Sequence, residues 1–233
     1  MLSSSICSVH VSSLQTRMAI TRYGKVPALR HSLHNKIMYT QLTQLPLLQG
    51  MNATEVAQIQ KQAFIYTTGS NVAVCSQGDL CNKLFFLLKG CVMRHTLSQN
   101  KDFEFEETLS APCVIEPESL YGLHCVFTSD YITTESSTIM TLTKPELAKL
   151  FTRNDIFRMN YLNLLSANIQ HQHNVQIHPY TSCIATRMIG FINTLSSVSH
   201  GSKTLRIKMD DLAVYMNETR LNVSRLLNKW ADL

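Results

Sequence analysis

The sequence lacks any long apolar run, although 45% of its 233 residues are hydrophobic. A helix that crosses a membrane needs about 20 consecutive apolar residues, so the sequence predicts no membrane-spanning segment. It also lacks a C-x2-C pair, although it contains seven cysteines. This absence argues against a zinc ribbon and against a closely spaced iron–sulfur site. Scattered thiols are typical of a reducing compartment, and we expect a cytoplasmic protein.

Signatures of catalysis are equally scarce. The sequence contains no glycine-rich phosphate loop, no nucleophile elbow and no metal-spaced set of histidines and glutamates. These absences favour a binding protein over an enzyme and predict no bound metal. A redox role for one of the cysteines stays an alternative, because the reactivity of a thiol depends on a pKa that the sequence does not give.

Acidic residues are absent from residues 1–37, which contain five basic residues. Residues 38–174 have nine basic and twelve acidic residues, whereas 175–233 have seven basic and four acidic. Positive charge therefore concentrates towards the C-terminus, where it would attract phosphates. Residues 1–37 also show no periodic apolar pattern. We expect them to be a disordered tail or a spurious extension of the reading frame, with a transit peptide as the alternative.

Residues 38–150 contain short apolar runs separated by single glycines, a pattern typical of an antiparallel β-roll. A helix of about ten residues is expected first, with Asn52 or Thr54 as its N-terminal cap. The segment from Pro112 to Tyr131 is expected to be a loop with one helical turn. The predicted strands are Phe64–Tyr66, Val72–Cys75, Leu84–Leu88, Val92–His95, Phe103–Leu109 and Tyr131–Thr143.

Two helices are predicted after the roll. The first begins at Lys144-Pro145-Glu146, since proline is tolerated in a first turn. The second runs from Ile156 to about Gln176 and has two apolar stripes. One stripe is expected to pack on the roll and consists of Phe157, Tyr161 and Leu164. The other has heptad-like spacing and predicts a dimerisation helix within 151–178, through Leu162, Leu165 and Ile169. A single wide core-facing stripe in a monomer is the alternative.

The C-terminal residues 208–230 have the spacing of a helix-turn-helix unit. A small residue, Ala213, lies where two short helices would cross, and Val223 and Leu226 are apolar anchors on the second helix. Asn217 between them is among the few residue types that accept a left-handed backbone, and Thr219 can cap the second helix. The elements expected before this unit are a helix at Ser182–Leu195 and a short strand at Leu205–Ile207.

The outward face of the second helix is polar and basic. Such a helix in the major groove offers guanidinium groups to guanine edges and phosphates. The residues predicted to contact DNA are Thr219, Arg220, Leu221, Asn222, Ser224, Arg225, Asn228 and Lys229. The alternative is an ordinary amphipathic helical hairpin whose basic face is solvated.

The order of these elements and the glycine spacing resemble the CRP/FNR superfamily of bacterial transcription regulators. The resemblance extends from Met38 to the C-terminus and rests on Pro46–Gly50, Gly69, Gly78-Asp79, Gly90 and the register of Ile207–Trp230. The segments Phe157–Ser166 and Ser224–Asn228 are most similar to effector-orphan members of Bacteroides-type bacteria. The resemblance implies an α+β fold: a jelly-roll-like antiparallel β-roll sensor domain at 38–150, a dimerisation helix at 151–178 and a helix-turn-helix domain at 179–233.

The resemblance also implies a homodimer that reads a two-fold symmetric site in double-stranded DNA. RNA polymerase is a further candidate partner. Thr219, Arg220 and Arg225 match DNA-contacting residues of the family, whereas Leu221 stands where the family often has a glutamate. Since leucine cannot accept a hydrogen bond from cytosine, we expect a different half-site, with Leu221 against a thymine methyl group.

The predicted effector pocket departs from the cyclic-nucleotide binders of the family. No arginine occurs around Asp130–Thr134 to neutralise a cyclic phosphate. We therefore expect no binding of cyclic AMP and no cofactor, with haem ligation by His95, His124 or another of the nine histidines as the alternative. The candidate pocket residues are Glu116, Glu118, Ser119 and Tyr131.

The sequence ends at Leu233, whereas the resembled domain continues into a β-hairpin wing that contacts phosphates. We therefore expect a helix-turn-helix domain without its wing. The alternative function is a ligand-sensing or protein-interaction module that has lost productive DNA binding with the wing.

Overall fold

The computed structural model describes residues 6–11, 42–176, 183–198 and 201–231. Short 3-10 turns lie at Pro46–Leu48 and Pro117–Leu120. The strands in these ranges are β1 (Ile6–Val11), β2 (Phe64–Thr68), β3 (Ala73–Cys75), β4 (Lys83–Lys89), β5 (Cys91–Leu97), β6 (Phe103–Ser110), β7 (Cys113–Ile115), β8 (Asp130–Thr133), β9 (Ser137–Thr143) and β10 (Lys203–Lys208). The helices are α1 (Ala53–Gln62), α2 (Lys144–Arg153), α3 (Asp155–Gln176), α4 (Ile184–Leu195), α5 (Met209–Tyr215) and α6 (Arg220–Ala231).

Contacts divide the described chain into two compact units. The roll unit consists of residues 42–94 and 109–168. The C-terminal unit consists of β1, His95–Thr108 and the described residues from Ile169 onward. The predicted boundaries differ from this division, because they assign all of 38–150 to the roll and 151–178 to a separate helix. The pairing of β6 with β10 explains the first difference, since it joins the β5–β6 hairpin to the C-terminal segment.

The roll unit is built from antiparallel strands, as predicted. Four of them form a sheet in the order β2, β9, β4, β7, and β3 pairs with β8. All five residues of Leu84–Leu88 in β4 are buried, because this strand lies between β9 and β7 and both of its faces are covered. Gly90 has a φ of 90°, and a Cβ there would lie 2.4 Å from the Ser137 hydroxyl oxygen, so the turn after β4 requires glycine.

Two of the predictions for the roll are wrong in detail. The predicted strand Tyr131–Thr143 is two strands, β8 and β9, because the chain turns after Thr133 and Thr134 binds the Cys91 carbonyl. Its backbone N–H and its hydroxyl donate to that oxygen over 3.0 and 3.2 Å. The predicted loop Pro112–Tyr131 contains strand β7 as well as its helical turn. Because β7 pairs with β4 over only three residues, a periodic pattern could not reveal it.

Helices α1 and α2 begin as predicted, and side chains close their first turns. Asn52 rather than Thr54 caps α1: its Oδ1 accepts from the Glu55 N–H over 3.0 Å, and Glu55 Oε2 accepts from the Asn52 N–H over 2.9 Å. Glu146 does the same for α2, since its Oε2 accepts from the Thr143 N–H over 2.7 Å. These bonds satisfy donors that have no partner inside the helix.

Helix α3 has two apolar stripes, and only one of them is buried. Phe157 and Tyr161 are buried and Leu164 is half-buried. On the other stripe Leu162 is 49% exposed, Ile169 is 56% exposed and Leu165 is half-buried. Two of its three residues are therefore not covered within one chain, and pairing of this stripe with a second copy stays a prediction. Residues 177–178 of the predicted dimerisation helix lie outside the described residues.

The C-terminal unit has its core around β10, which lies between β1 and β6 and pairs antiparallel with both. Leu205 and Ile207 of β10 are buried. The other buried members of this core cluster are Phe105, Met188, Leu212, Ala213, Met216 and Val223. The cluster therefore draws on the β5–β6 hairpin as well as on α4, α5 and α6.

The expectation that residues 1–37 contain no ordered element does not hold for Ile6–Val11. These six residues pair with β10, with Cys7 opposite Ile207 and Val9 opposite Leu205. Alternation over so short a segment is not visible against its serine-rich flanks. The other residues of 1–37 lie outside the described residues.

Polar contacts hold the hairpin to the rest of the C-terminal unit. Glu107 is 1% exposed, and its carboxylate accepts from the Ser196 hydroxyl over 2.7 Å and from the Ser197 N–H over 2.9 Å. These bonds offset the cost of burying a carboxylate. At the hairpin tip, Asp102 accepts from the Tyr215 hydroxyl over 2.6 Å. Hydrogen bonds from Ser98 and Tyr215 lower the pKa of Asp102, and the bond to Asp102 raises the pKa of Tyr215 to about 12.

Candidate nucleic-acid interface and effector pocket

Helices α5 and α6 are joined by a tight turn at Met216–Thr219. Asn217 has a φ of 48°, so the predicted left-handed residue is confirmed. The Thr219 hydroxyl oxygen accepts from the Asn222 N–H over 3.3 Å and caps α6, also as predicted. Local sequence therefore fixes the point at which α6 begins.

Packing decides which face of α6 points outward. Ala213 on α5 and Val223 on α6 are buried, and Leu226, Leu227 and Trp230 pack against the core cluster of the C-terminal unit. Seven of the eight residues predicted to contact DNA are exposed, and Ser224 is half-buried. The exposed ones are Thr219, Arg220, Leu221, Asn222, Arg225, Asn228 and Lys229.

The cations on this face differ in their surroundings. Arg225 and Lys229 have no ion pair or side-chain hydrogen bond with any described residue. Arg220 lies 3.3 Å from Asp210 of α5, and both side chains are largely exposed, so the pair contributes little to stability. Other polar contacts stabilise the turn between α5 and α6. Asn222 and Arg187 both donate to Glu218 of this turn and lower its pKa.

Three of the four predicted effector residues, Glu116, Ser119 and Tyr131, are buried in the roll unit, whereas Glu118 is exposed. Glu116 is 5% exposed and has a left-handed φ of 43°. Its Oε1 accepts from the Ser119 hydroxyl and from the Thr128 N–H, each over 2.6 Å. Its Oε2 is buried and has no hydrogen-bond partner in the structure. Such an atom is uncommon in a folded protein and needs a water or a ligand donor to satisfy it.

The structure corrects the expectation that this segment has no cation. Arg94 of β5 reaches it, and its Nε donates to the Ser129 hydroxyl over 3.0 Å. Burial raises the pKa of Tyr131, the positive charge of Arg94 opposes this shift, and the negative charges of Glu116 and Glu118 add to it. Arg94 is far from the segment in sequence, and no local pattern singles it out. The two predicted acids, Glu116 and Glu118, therefore share their surroundings with one guanidinium group.

The structure also bears on the metal, thiol and haem alternatives. The described residues contain no group of three or more histidine, cysteine or acidic side chains placed to hold a metal ion. Cys75 and Cys81 are buried, and burial raises the pKa of Cys81 to about 11, whereas Cys183 is exposed and hydrogen bonding with Thr186 lowers its pKa. His95 lies 3.8 Å from Glu104, and His124 is exposed. None of the described helices is long and apolar enough to cross a membrane.

In sequence, the chain matches no protein-family model and no curated protein. In structure it is similar to a transcriptional regulator of Thermotoga maritima, with 15% identity, a TM-score of 0.50 and coverage of 55% of this chain and 98% of that one. The sensor domain of the transcriptional regulator DNR of Pseudomonas aeruginosa is 14% identical, with a TM-score of 0.50 and coverage of 63% of this chain and 97% of that one. The c-di-GMP responsive global regulator CLP of Xanthomonas campestris is 14% identical, with a TM-score of 0.50 and coverage of 78% of this chain and 92% of that one. At these identities the likeness shows the fold alone.

Proposed function

We propose that this chain is a sequence-specific DNA-binding transcription regulator of the CRP/FNR type, a cytoplasmic homodimer that does not respond to cyclic AMP. One observation carries the proposal: α6 packs one side onto the core and leaves a polar, basic side in solvent. A helix placed in this way after a tight turn is the arrangement that major-groove readers use.

The charges on α6 suit a duplex. Arg225 and Lys229 have no described partner, so a phosphate or a guanine edge does not have to displace an internal contact. Each phosphate neutralised releases counterions, which favours binding at low salt. Leu221 is 58% exposed and offers apolar contact to a thymine methyl group.

The exposed stripe of α3 supports self-association. Leu162 and Ile169 are about half exposed, and a second copy of the same helix would remove both from water. Two copies related by a two-fold axis present two α6 helices, which read half-sites about one helical turn apart.

The charge of the effector segment supports the absence of a cyclic AMP response. Glu116 and Glu118 outnumber the single cation Arg94, which already donates to Ser129. A cyclic phosphate entering here would meet more negative than positive charge. Calorimetric titration with cyclic AMP should show no saturable heat, and micromolar binding would contradict this part of the proposal.

Selection from a random duplex DNA pool tests whether the protein binds DNA in a sequence-specific way. We expect enrichment of a palindrome, and an affinity for it that falls steeply with salt. Arg225→Ala should weaken binding to the enriched site by about tenfold or more, while the matched variant Lys61→Ala, on the exposed side of α1, should not. Failure to enrich any sequence, or equal losses in both variants, would overturn the proposal.

Sedimentation equilibrium tests the dimer. Leu162→Glu places a charge in the exposed stripe of α3 and should give a monomer, whereas Asn163→Glu on the neighbouring exposed position should not. A wild-type monomer at micromolar concentration would contradict the dimeric arrangement.

A second candidate function is sensing without productive DNA binding. The observation that favours it is the set of acids beside the basic face: Asp210 pairs with Arg220, and Asp211 and Glu218 lie on the same pair of helices and their turn. Weak DNA binding without sequence preference would point to this function.

A further inference from the structure

We infer that a small groove between α1 and α2 of the roll unit is a docking site for an acidic segment of a partner protein. This groove is separate from the DNA-reading face and from the effector segment. Its cavity has a volume of about 90 Å³. The lining residues are Met51, Glu55, Gln58, Ile59, Gln62, Lys149, Leu150, Arg153 and Asn154.

The floor of the groove is apolar and preformed. Met51, Ile59 and Leu150 are each less than a tenth exposed. Drug-sized ligands and cofactors occupy about 300–1,000 Å³, so they do not fit a cavity of this size. A cavity of about 90 Å³ suits one apolar side chain of a docking peptide.

Two cations stand on the α2 side of the groove. Lys149 and Arg153 are exposed and lie four residues apart, so their side chains are neighbours on one face of the helix. Like charges at this spacing repel each other. Neither side chain has an ion pair or hydrogen bond with a described residue.

The carboxylates of Glu55 and Glu146 form no ion pair with these cations and are held by neutral donors instead. Glu55 accepts from the Asn52 N–H through Oε2 and from the Asn154 amide through Oε1. Glu146, three residues before Lys149, caps α2 through the Thr143 N–H and hydroxyl. The groove lining therefore contains two cations and one carboxylate, Glu55, and its net charge is positive.

The positive charges of Lys149 and Arg153 favour an acidic segment as the ligand of this groove. A segment with an apolar residue flanked by aspartates or glutamates would place the apolar side chain on the floor and its carboxylates against Lys149 and Arg153. The exposed amides of Gln58 and Gln62 on α1 can hydrogen-bond the peptide backbone. A free phosphate would use the cations but not the floor, so a protein segment fits the groove better.

The first test is fluorescence anisotropy of the full chain with a labelled peptide of alternating glutamate and leucine. We expect saturable binding that weakens with salt. Binding should be about tenfold weaker in the double variant Lys149→Ala/Arg153→Ala and unchanged in the control Lys83→Ala/Lys89→Ala, which removes the same charge from β4. The variant Arg225→Ala/Lys229→Ala should also retain binding, which separates this groove from α6.

A charge reversal provides the second test. Lys149→Glu/Arg153→Glu should reject the glutamate–leucine peptide and bind a lysine–leucine peptide. Absence of saturable binding by the wild type up to millimolar peptide would overturn the proposal. Equal losses in the groove variant and the β4 control would overturn it as well, because they would show a general charge effect. Exposed helix positions tolerate alanine, and unchanged circular dichroism would verify that the variants fold.

Discussion

Charged side chains serve opposite purposes on α6 and in the buried networks of the same chain. Arg225 and Lys229 lie in solvent without described partners, so they add nothing to the fold and are available to a binding partner. Glu107 and Glu116 are almost fully buried and accept two or more hydrogen bonds each. Substitutions on α6 should therefore change binding without changing stability, and substitutions in the networks should do the reverse.

The largest effect is expected for Glu107→Ala. The change removes the acceptor of the Ser197 N–H and leaves the Ser196 hydroxyl only the Val198 carbonyl, and the loss of these charge-assisted bonds should cost about 2–3 kcal/mol in the free energy of unfolding. Urea unfolding followed by circular dichroism measures it. The control Glu104→Ala removes a carboxylate whose side chain is 46% exposed and should cost less than about 1 kcal/mol. Equal costs would break the contrast between buried and exposed charges.

Leu221→Glu should change base preference without changing the stability of the fold. A glutamate there can accept from a cytosine amino group, which discriminates between bases by about 1–3 kcal/mol. Repeating the DNA selection with this variant should enrich a cytosine where the wild type favours thymine. An unchanged consensus would show that position 221 does not face a base.

Ser119→Ala tests the effector network. Ser119 is 6% exposed and donates to Glu116 over 2.6 Å, so its loss should cost about 1–2 kcal/mol of unfolding free energy. DNA affinity in the absence of any effector should stay the same. A change in DNA affinity at constant stability would show that the network, like α6, takes part in binding.

Tyr215→Phe should have a smaller effect that depends on pH. The loss of its hydrogen bond to Asp102 should cost at most about 1 kcal/mol at neutral pH. Because the pKa of Asp102 is lowered in the folded state, its contribution is complete above the ordinary value of 3.8 and is lost as the pH falls through the lowered value. The difference between wild type and variant, measured by urea unfolding at pH 7, 4 and 2, should shrink with acid. Tyr121→Phe is the control, and a difference that grows in acid would contradict the assignment.

The smallest expected effect is on affinity alone. Asp210→Asn removes the partner of Arg220 and a negative charge beside the reading face. DNA affinity should rise about two- to threefold at low salt, and the gain should disappear at high salt because both groups are exposed. A loss of affinity would show that Asp210 orients Arg220 for binding.

Features set by neighbouring residues could be predicted from the sequence. Asn217, the cap at Thr219, the buried Val223 and the two stripes of α3 all follow from local backbone preference and helical periodicity. Antiparallel strands in the roll follow from glycine spacing in the same way. The finer DNA-reading and dimer interpretations of these features stay predictions.

Features that join distant parts of the chain could not be predicted in this way. Arg94 reaches Ser129 from another strand, and β6 joins the C-terminal unit through its pairing with β10. The alternation of strand β1 is hidden by its serine-rich flanks. In each case the partner is chosen by tertiary packing, which a reading along one sequence does not contain.

The position of β10 between β1 and β6 has a consequence for biosynthesis. A ribosome makes β1 first and the β5–β6 hairpin much later, and β10 is among the last strands to emerge. Until then Phe105 lacks the neighbours that bury it, and the strand edges that β10 covers are open to pairing with other chains. The nascent protein therefore spends most of its synthesis with an unfinished C-terminal unit, a state that is prone to aggregation.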